Sequence, residues 1–279
     1  WRPLTSSARR HLRKYTIDLD HEPDRRAFVR YLQAAMMLVD ATSRIIDQNK
    51  VLATVGNHPA YVYGGVVEKT TAENGIPAIN YGAGYLRKDT VLFGNIQNRG
   101  FIHFSDPVVA RKKVERPISE VQKAKIDELM KGRRTGETIR SFNYYTEEAD
   151  RDLSVDYARP TIGVFSNLLW DGSLIDSDRV FDNPFSWIKE TIRCAETNEF
   201  NVVIKPHPAE AHRGTEERMG DWIRQHIDTV PPNVALLEPD TEVNPYELID
   251  SIDLGVVYNS TLGMEMAYDG QPVVVVGET

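Results

Sequence analysis

A chain of 279 residues with 41% hydrophobic and 27% charged side chains has an ordinary globular composition, long enough for one large or two average domains. Its net charge of −8 and its pI near 5.5 argue against nucleic acid as the main partner. A lone cysteine, Cys194, excludes an internal disulfide and a cysteine-built metal site and fits a reducing, cytoplasmic compartment. No apolar run approaches the roughly 20 residues that span a bilayer, and no signal peptide is visible.

Residues 1–14 carry Arg2, Arg9, Arg10, Arg13 and Lys14 without an acidic residue. They read either as a solvated helix or as a basic patch for peripheral association with the inner face of the membrane. Asp18-Leu19-Asp20 has the form of a metal-binding Asp-x-Asp, but the charged flank before it and His21-Glu22-Pro23 after it make a polar turn the better reading. From Asp24 to Asp47 the positions of Phe28, Tyr31, Leu32, Ala35, Met36, Val39 and Ile46 have helical spacing. A strand over 51–55 follows, then Gly56-Asn57-His58-Pro59, a helix from about 60 to 73 closed by Asn74-Gly75, and a strand over 76–80. This alternation predicts a parallel sheet with crossover helices.

Gly82-Ala83-Gly84 is a fragment of a dinucleotide fingerprint and reads best as a loop after a strand. Thr90–Phe93 predicts another strand, and Pro117–Met130 an amphipathic helix that buries Ile118, Val121, Ile126 and Leu129. Residues 131–158 are polar, with the acidic run Glu147–Asp150, and mark a domain junction. The expected division is an acceptor-side α/β domain over 1–150 and a donor-binding α/β domain over 151–279.

The second half is more sharply punctuated. Thr161–Phe165 is a strand that enters the loop 166–172, and Asn183-Pro184 is an N-cap with proline at the first helical position. Strands at 200–204 and 234–237, helices near 216–226 and 244–249, and a last strand–turn–helix–strand unit from Asp253 to Gly277 complete a doubly wound pattern. Gly270 and Pro272 stop the final helix, and Pro272–Val276 reads as a buried strand. The chain starts at Trp1 and stops at Thr279 straight after that strand, so residues are expected to precede and follow it.

Three stretches could carry chemistry. His58 stands where a strand delivers its carboxyl end, which suits either catalysis or a local helix start. Lys205-Pro206-His207-Pro208 holds His207 between two prolines at a strand end, beside a lysine suited to phosphate; a stiff strand exit is the alternative. Asn259-Ser260-Thr261 opens the final helix, where N–H groups and the helix dipole favour an anion, though Ser and Thr are also the usual caps. Glu265 lies one turn after Thr261, at a place no capping box from Ser260 or Thr261 requires.

Val203-Ile-Lys-Pro-His-Pro208, Asn259-Ser-Thr-Leu-Gly-Met-Glu265 and the run Tyr268–Gly277 resemble the capsule polysaccharide biosynthesis proteins, glycosyltransferases of the GT-B fold related to bacterial Kdo transferases and sialyltransferases. The resemblance covers residues 160–279 well and 1–150 only vaguely. It implies two Rossmann-like doubly wound parallel-sheet domains facing a central cleft, with the helices that follow Gly277 in complete members lacking here. It implies a cytoplasmic, metal-independent transferase that takes a CMP- or UDP-type nucleotide-sugar donor as substrate, with no other cofactor. The acceptor would be a growing capsule-type polysaccharide or its lipid-linked form. His207 would meet the donor phosphate or nucleotide and stabilise the leaving group, Ser260 and Thr261 would bind phosphate, Glu265 would bind the ribose, and Lys205, Asn259 and Asn167 would lie among the donor-binding residues. His58 is the candidate base. Two rivals share these residues: a CDP-polyol phosphotransferase of teichoic-acid type, and a non-catalytic nucleotide-sugar-binding protein of the assembly or export machinery.

Overall fold

The computed structural model describes residues 2–83, 91–95, 115, 117–135, 155, 158–171, 180–181, 183–241 and 243–277. The chain divides into two compact units: Trp1–Pro117 with Trp170–Asp176, and Ile118–Leu169 with Ser177–Thr279. The helix that follows Pro117 falls in the second unit, to which it is bonded as described below. The acidic run Glu147–Asp150 lies outside the described residues.

In the first unit, α1 (Arg2–Leu12) and α2 (Glu22–Gln48) precede β1 (Thr54–Gly56), α3 (Val62–Glu73), β2 (Ala78–Ala83) and β3 (Val91–Asn95). β1 and β2 are parallel and joined through α3, the expected crossover, whereas β3 is antiparallel to β2, so this sheet is mixed. β2 runs on through Gly82 and Ala83, the start of the fingerprint-like fragment; Gly84 is outside the described residues. Asp18 Oδ1 accepts from the amide of Asp20 at 2.9 Å, which makes Asp18-Leu19-Asp20 a closed polar turn.

Arg9 and Arg10 of α1, and Arg13 and Lys14 just after it, have partners within the first unit. The Arg9 guanidinium lies 3.7 Å from the Tyr15 ring centroid, Arg10 4.7 Å from that of Tyr61, and Arg13 4.5 Å from that of Trp170. Lys14 pairs with the buried Asp24 at 2.7 Å. Cation–ring contacts of this kind favour the planar guanidinium. Ser7 Oγ accepts from the amide of Val62 at 2.9 Å and so satisfies a donor at the start of α3, where Tyr61 offers no side-chain cap. No helix of the described residues is long and apolar enough to cross a membrane.

The first turn of α3 sits directly on the loop that follows β1. A Cβ at Gly64 would lie 2.5 Å from Asn57 O, and one at Gly65 would overlap Pro59 O. Those backbone neighbours hold His58 in the left-handed region, with φ of 54°. Beneath the same loop, Glu68 is buried 2.9 Å from where a Gly56 Cβ would be, and neither carboxylate oxygen has a hydrogen-bond partner among the described residues.

The second unit contains α4 (Glu120–Arg134), β4 (Thr161–Phe165), α5 (Pro184–Thr197), β5 (Asn201–Lys205), α6 (Ala209–His212), α7 (Met219–His226), β6 (Val234–Leu236), α8 (Pro245–Ile249), β7 (Leu254–Val257), α9 (Thr261–Tyr268) and β8 (Val273–Val275). The sheet is parallel throughout, in the order β6-β5-β4-β7-β8. Counted from β4 this is 3-2-1-4-5, the doubly wound order, with the reversal between β4 and β7. Phe165, Val203, Val257 and Met266 meet Leu248, Ile249 and Ile252 on one face. The alternate residues Val164, Val202 and Ile204 are buried too, so both faces are covered, as parallel sheets require.

Local punctuation works as the sequence predicts. Asn183 Oδ1 accepts from the amides of Phe185 and Ser186 at 2.9 Å each, and Asn244 Oδ1 from that of Tyr246 at 3.0 Å. Gly75 and Gly270 adopt φ of 73° and 79°. Two burial expectations fail. Ile118 and Val121 are exposed, because α4 is held by its polar last turns and not by an apolar face. Val274 and Val275 in β8 are also exposed, because that strand is the sheet's edge.

Two predictions follow from this packing. Gly65→Ala forces the first turn of α3 off the Pro59 carbonyl and should destabilise the first unit by roughly 1–3 kcal/mol in denaturant unfolding. Burial pushes the carboxyls of Glu68 and Glu210 up to about 8 from 4.5. Between those values the folded chain holds protons that the unfolded chain releases, so stability is full below about pH 4.5 and is lost as pH rises to about 8. Glu68→Gln and Glu210→Gln should each flatten that decline; an unchanged pH profile in both would refute the burial argument.

Candidate functional site

The carboxyl ends of β4 and β7 diverge at the reversal point, where open α/β sheets form a crevice. After β4 come Ser166 and Asn167; after β7 come Tyr258, Asn259 and Ser260. Asn167 Nδ2 donates to Asn259 Oδ1 at 2.9 Å, so two of the residues singled out in the sequence close the reversal point together. Ser166 Oγ and Asn167 Oδ1 are buried there without a hydrogen-bond partner among the described residues. Unsatisfied polar atoms of this kind are costly unless something else meets them.

Ser260 is the N-cap of α9, and its hydroxyl oxygen accepts from the amide of Leu262 at 3.3 Å. The capping role is therefore real, and the hydroxyl proton remains to be donated elsewhere. Thr261 is exposed at the first helical position.

Lys205 is the last residue of β5, in register with Phe165 of β4, and is almost completely buried. Its ammonium has a carbonyl partner, Thr241 O, at 3.5 Å. Burial lowers the lysine to about 8, against a smaller opposing pull from Asp240. Two residues on, His207 Nδ1 accepts from the amide of Ala209 at 3.1 Å. In the neutral ring this puts the proton on Nε2, which becomes a donor. The short helix α6 behind this segment is tied to α7 by Glu210, whose Oε2 accepts from the amide of Met219 at 3.1 Å. β5 and β7 flank β4, so their ends stand two strand spacings apart, about 10 Å.

Glu265 is 3% exposed, and both of its carboxylate oxygens are engaged. Oε1 accepts from Arg133 Nε at 2.7 Å and Oε2 from the Tyr246 hydroxyl at 2.6 Å. Burial, reinforced by the carboxylate, pushes the Tyr246 phenol well above its ordinary value and keeps it a donor. Arg133 also donates from Nη2 to Thr261 Oγ1 at 3.2 Å. Its neighbour Arg134 pairs with Asp269 at 2.6 Å and Asp250 at 3.4 Å, and Tyr268 donates to Asp127. These bonds fasten the last turns of α4 to α8 and α9.

Of the residues expected from the sequence, Asn167 and Asn259 are bonded to each other, and Thr261 and Glu265 are joined through Arg133. Lys205 and His207 stand at the neighbouring strand end. His58 belongs to the first unit, exposed in the loop after β1, with ring centroids of Tyr61 and Tyr63 at 6.4 and 6.5 Å. Arg133 and Tyr246 were not singled out. Two basic residues in a last helical turn read simply as complements to the helix dipole, and no spacing rule links position 133 to 265.

Removing the Glu265 carboxylate takes a buried acceptor away from a partly buried guanidinium and a half-buried phenol. Glu265→Leu should therefore destabilise the second unit by roughly 3–5 kcal/mol. Arg134→Met, which breaks more exposed pairs, should cost about 1 kcal/mol or less. Unfolding midpoints of the two variants compare them directly.

No protein-family model matches the chain, and no curated protein matches it. Solved structures similar to it include Thermosulfurimonas dismutans KpsC, described as a beta Kdo 2,4 transferase, at 13% identity over 81% of this chain and 68% of that one, with a TM-score of 0.46. The same organism's KpsC, described as a beta Kdo 2,7 transferase, is 14% identical over 85% of this chain and 68% of that one, with a TM-score of 0.46. A co-structure of S. aureus MnaA with UDP is 10% identical over 88% of this chain and 63% of that one, with a TM-score of 0.36. These values describe a general likeness of chain path.

Proposed function

We propose that the chain is a glycosyltransferase that moves a sugar from a nucleotide-sugar donor to a saccharide or lipid-linked saccharide acceptor, with the donor held at the carboxyl edge of the second unit's sheet. The observation that carries this reading is the combination at the β4/β7 reversal point. Buried orphan atoms of Ser166 and Asn167 lie at the end of β4, the start of α9 follows β7, and a buried lysine and a ring N–H donor close β5. Helix starts and cations favour phosphate. The motif resemblance to capsule polysaccharide glycosyltransferases, carried by Lys205–Pro208 and Asn259–Glu265, supplies the substrate class.

In this reading an acceptor hydroxyl gives its proton to a base and its oxygen attacks the anomeric carbon of the donor. The bond from that carbon to the phosphate oxygen breaks, and the electron pair leaves with the nucleotide. His207 Nε2–H, the Lys205 ammonium and the start of α9 offset the charge that develops on the leaving phosphate. Asn167 and Asn259 hold the two strand ends at a fixed spacing. His58 is the base candidate of the first unit.

Thermal-shift and titration screens with CMP, CDP, UDP and GDP test the reading. One nucleotide class should stabilise the wild type. His207→Ala, which deletes a hydrogen bond to a charged group, should weaken it roughly tenfold to a hundredfold. Binding should also weaken as pH rises through about 8, where free Lys205 loses its proton, and Lys205→Met should remove that dependence. Binding without cleavage or transfer of any donor would favour the non-catalytic rival, and the absence of nucleotide binding would overturn the site.

A further inference from the structure

The Glu265 carboxylate invites assignment as a ribose ligand, yet its surroundings give it another task. The residue is 3% exposed, its two oxygens face Arg133 Nε and the Tyr246 hydroxyl, and a ribose would have to displace one of them from a buried position. The Arg133 side chain is 22% exposed and so reaches the surface that Glu265 does not. The contacts that align its guanidinium include Nε on the buried carboxylate and Nη2 on Oγ1 of Thr261, the first residue of α9. A guanidinium has five N–H groups in a planar fork and can serve a carboxylate and a phosphate oxygen at once. The carboxylate fixes the fork's orientation, and the start of α9 adds to the cation's field at the same point. The second sign of a ligand is separate from this cluster: Ser166, itself more than nine-tenths buried, has an unpartnered Oγ at the end of the adjacent strand β4.

We propose that Glu265 is a positioning residue acting through Arg133, and that Arg133 is the group that meets a phosphate oxygen of the nucleotide at the start of α9. This rests on the nucleotide-site reading given above. It adds α4, a helix outside the β4–β8 sheet, to the binding machinery. It also changes the recognition rule: the carboxylate selects for phosphate by aiming a cation, and it has no direct part in reading the sugar of the nucleoside.

The test is calorimetric titration of the full chain with UDP and CMP and with their 2′-deoxy forms. Wild type, Arg133→Met, Arg133→Lys, Glu265→Gln and the double variant Arg133→Met/Glu265→Gln are compared, each checked by its unfolding midpoint without ligand. Arg133→Met should weaken the preferred nucleotide by about tenfold or more, with Arg133→Lys recovering part of the loss because the charge remains. Glu265→Gln should weaken it as well, and the double variant should lie within about twofold of Arg133→Met, since both changes remove one interaction. The ratio of ribo to deoxy affinity should be the same in wild type and Glu265→Gln. If that ratio collapses in Glu265→Gln, or if Arg133→Met binds like wild type, Glu265 reads the ribose directly and the inference is wrong. Should Arg133→Met not fold, Arg133→Lys and the deoxy ratio in Glu265→Gln decide the matter. A wild type that binds neither nucleotide overturns the nucleotide site itself, and the Arg133 assignment with it.

Discussion

One buried carboxylate joins three helices of the second unit. Glu265 on α9 receives Arg133 from α4 and Tyr246 from α8 at 2.7 and 2.6 Å, in a place nearly sealed from water. A charge buried to that extent is tolerated only with full pairing, so the three helices must arrive together for any of them to be well placed. The apolar core beneath, where Met266 of α9 meets Leu248 and Ile249 of α8, supplies adhesion that is indifferent to direction. The carboxylate supplies the direction. α4 shows the difference most clearly: its apolar Val121 and the preceding Ile118 are exposed, and polar contacts at its last turns locate it.

The first unit solves a similar problem with rings in place of a carboxylate. Arg9 and Arg10 of α1 and Arg13 just after it lie against Tyr15, Tyr61 and Trp170, and the Tyr61 hydroxyl accepts from Arg10 at 2.7 Å and donates to Asp171 at 2.9 Å. A stretch that reads as a solvated helix or a basic patch thus also supplies internal order. Each cation keeps its charge but is oriented by a flat partner, an arrangement that guanidinium favours over ammonium. The one lysine of the set, Lys14, goes to a carboxylate instead.

How much of this was legible depends on the range of the signal. Elements bounded by local chemistry came through well: Asn183-Pro184, Ser260 and Gly270 all act where the sequence places them, because a cap bonds to residues two or three positions away. The parallel sheet of the second unit followed from strand–helix alternation alone. The antiparallel direction of β3 and the exposed valines of β8 depend on what lies beside a strand, and one strand's own pattern does not encode its neighbour. For the candidate site, strand ends and a helix start single out Lys205, His207, Asn167, Asn259, Ser260, Thr261 and Glu265 as candidates. Arg133 could not, since its partner lies 132 positions away and its own surroundings give only the ordinary end of a basic helix.

The interleaved division of the chain has a consequence for how the molecule can be taken apart. The first unit is Trp1–Pro117 completed by Trp170–Asp176, and the second is Ile118–Leu169 completed by Ser177–Thr279. The backbone therefore changes unit at three points, and neither unit is one uninterrupted segment. A single cut cannot release either one whole. Cutting after Pro117 strips the first unit of Trp170 and its Arg13 contact, and cutting after Asp176 leaves α4 and β4 attached to the wrong piece. Unlike beads on a string, the two bodies are plaited by their own chain, so each is born incomplete until the other's segment has been made.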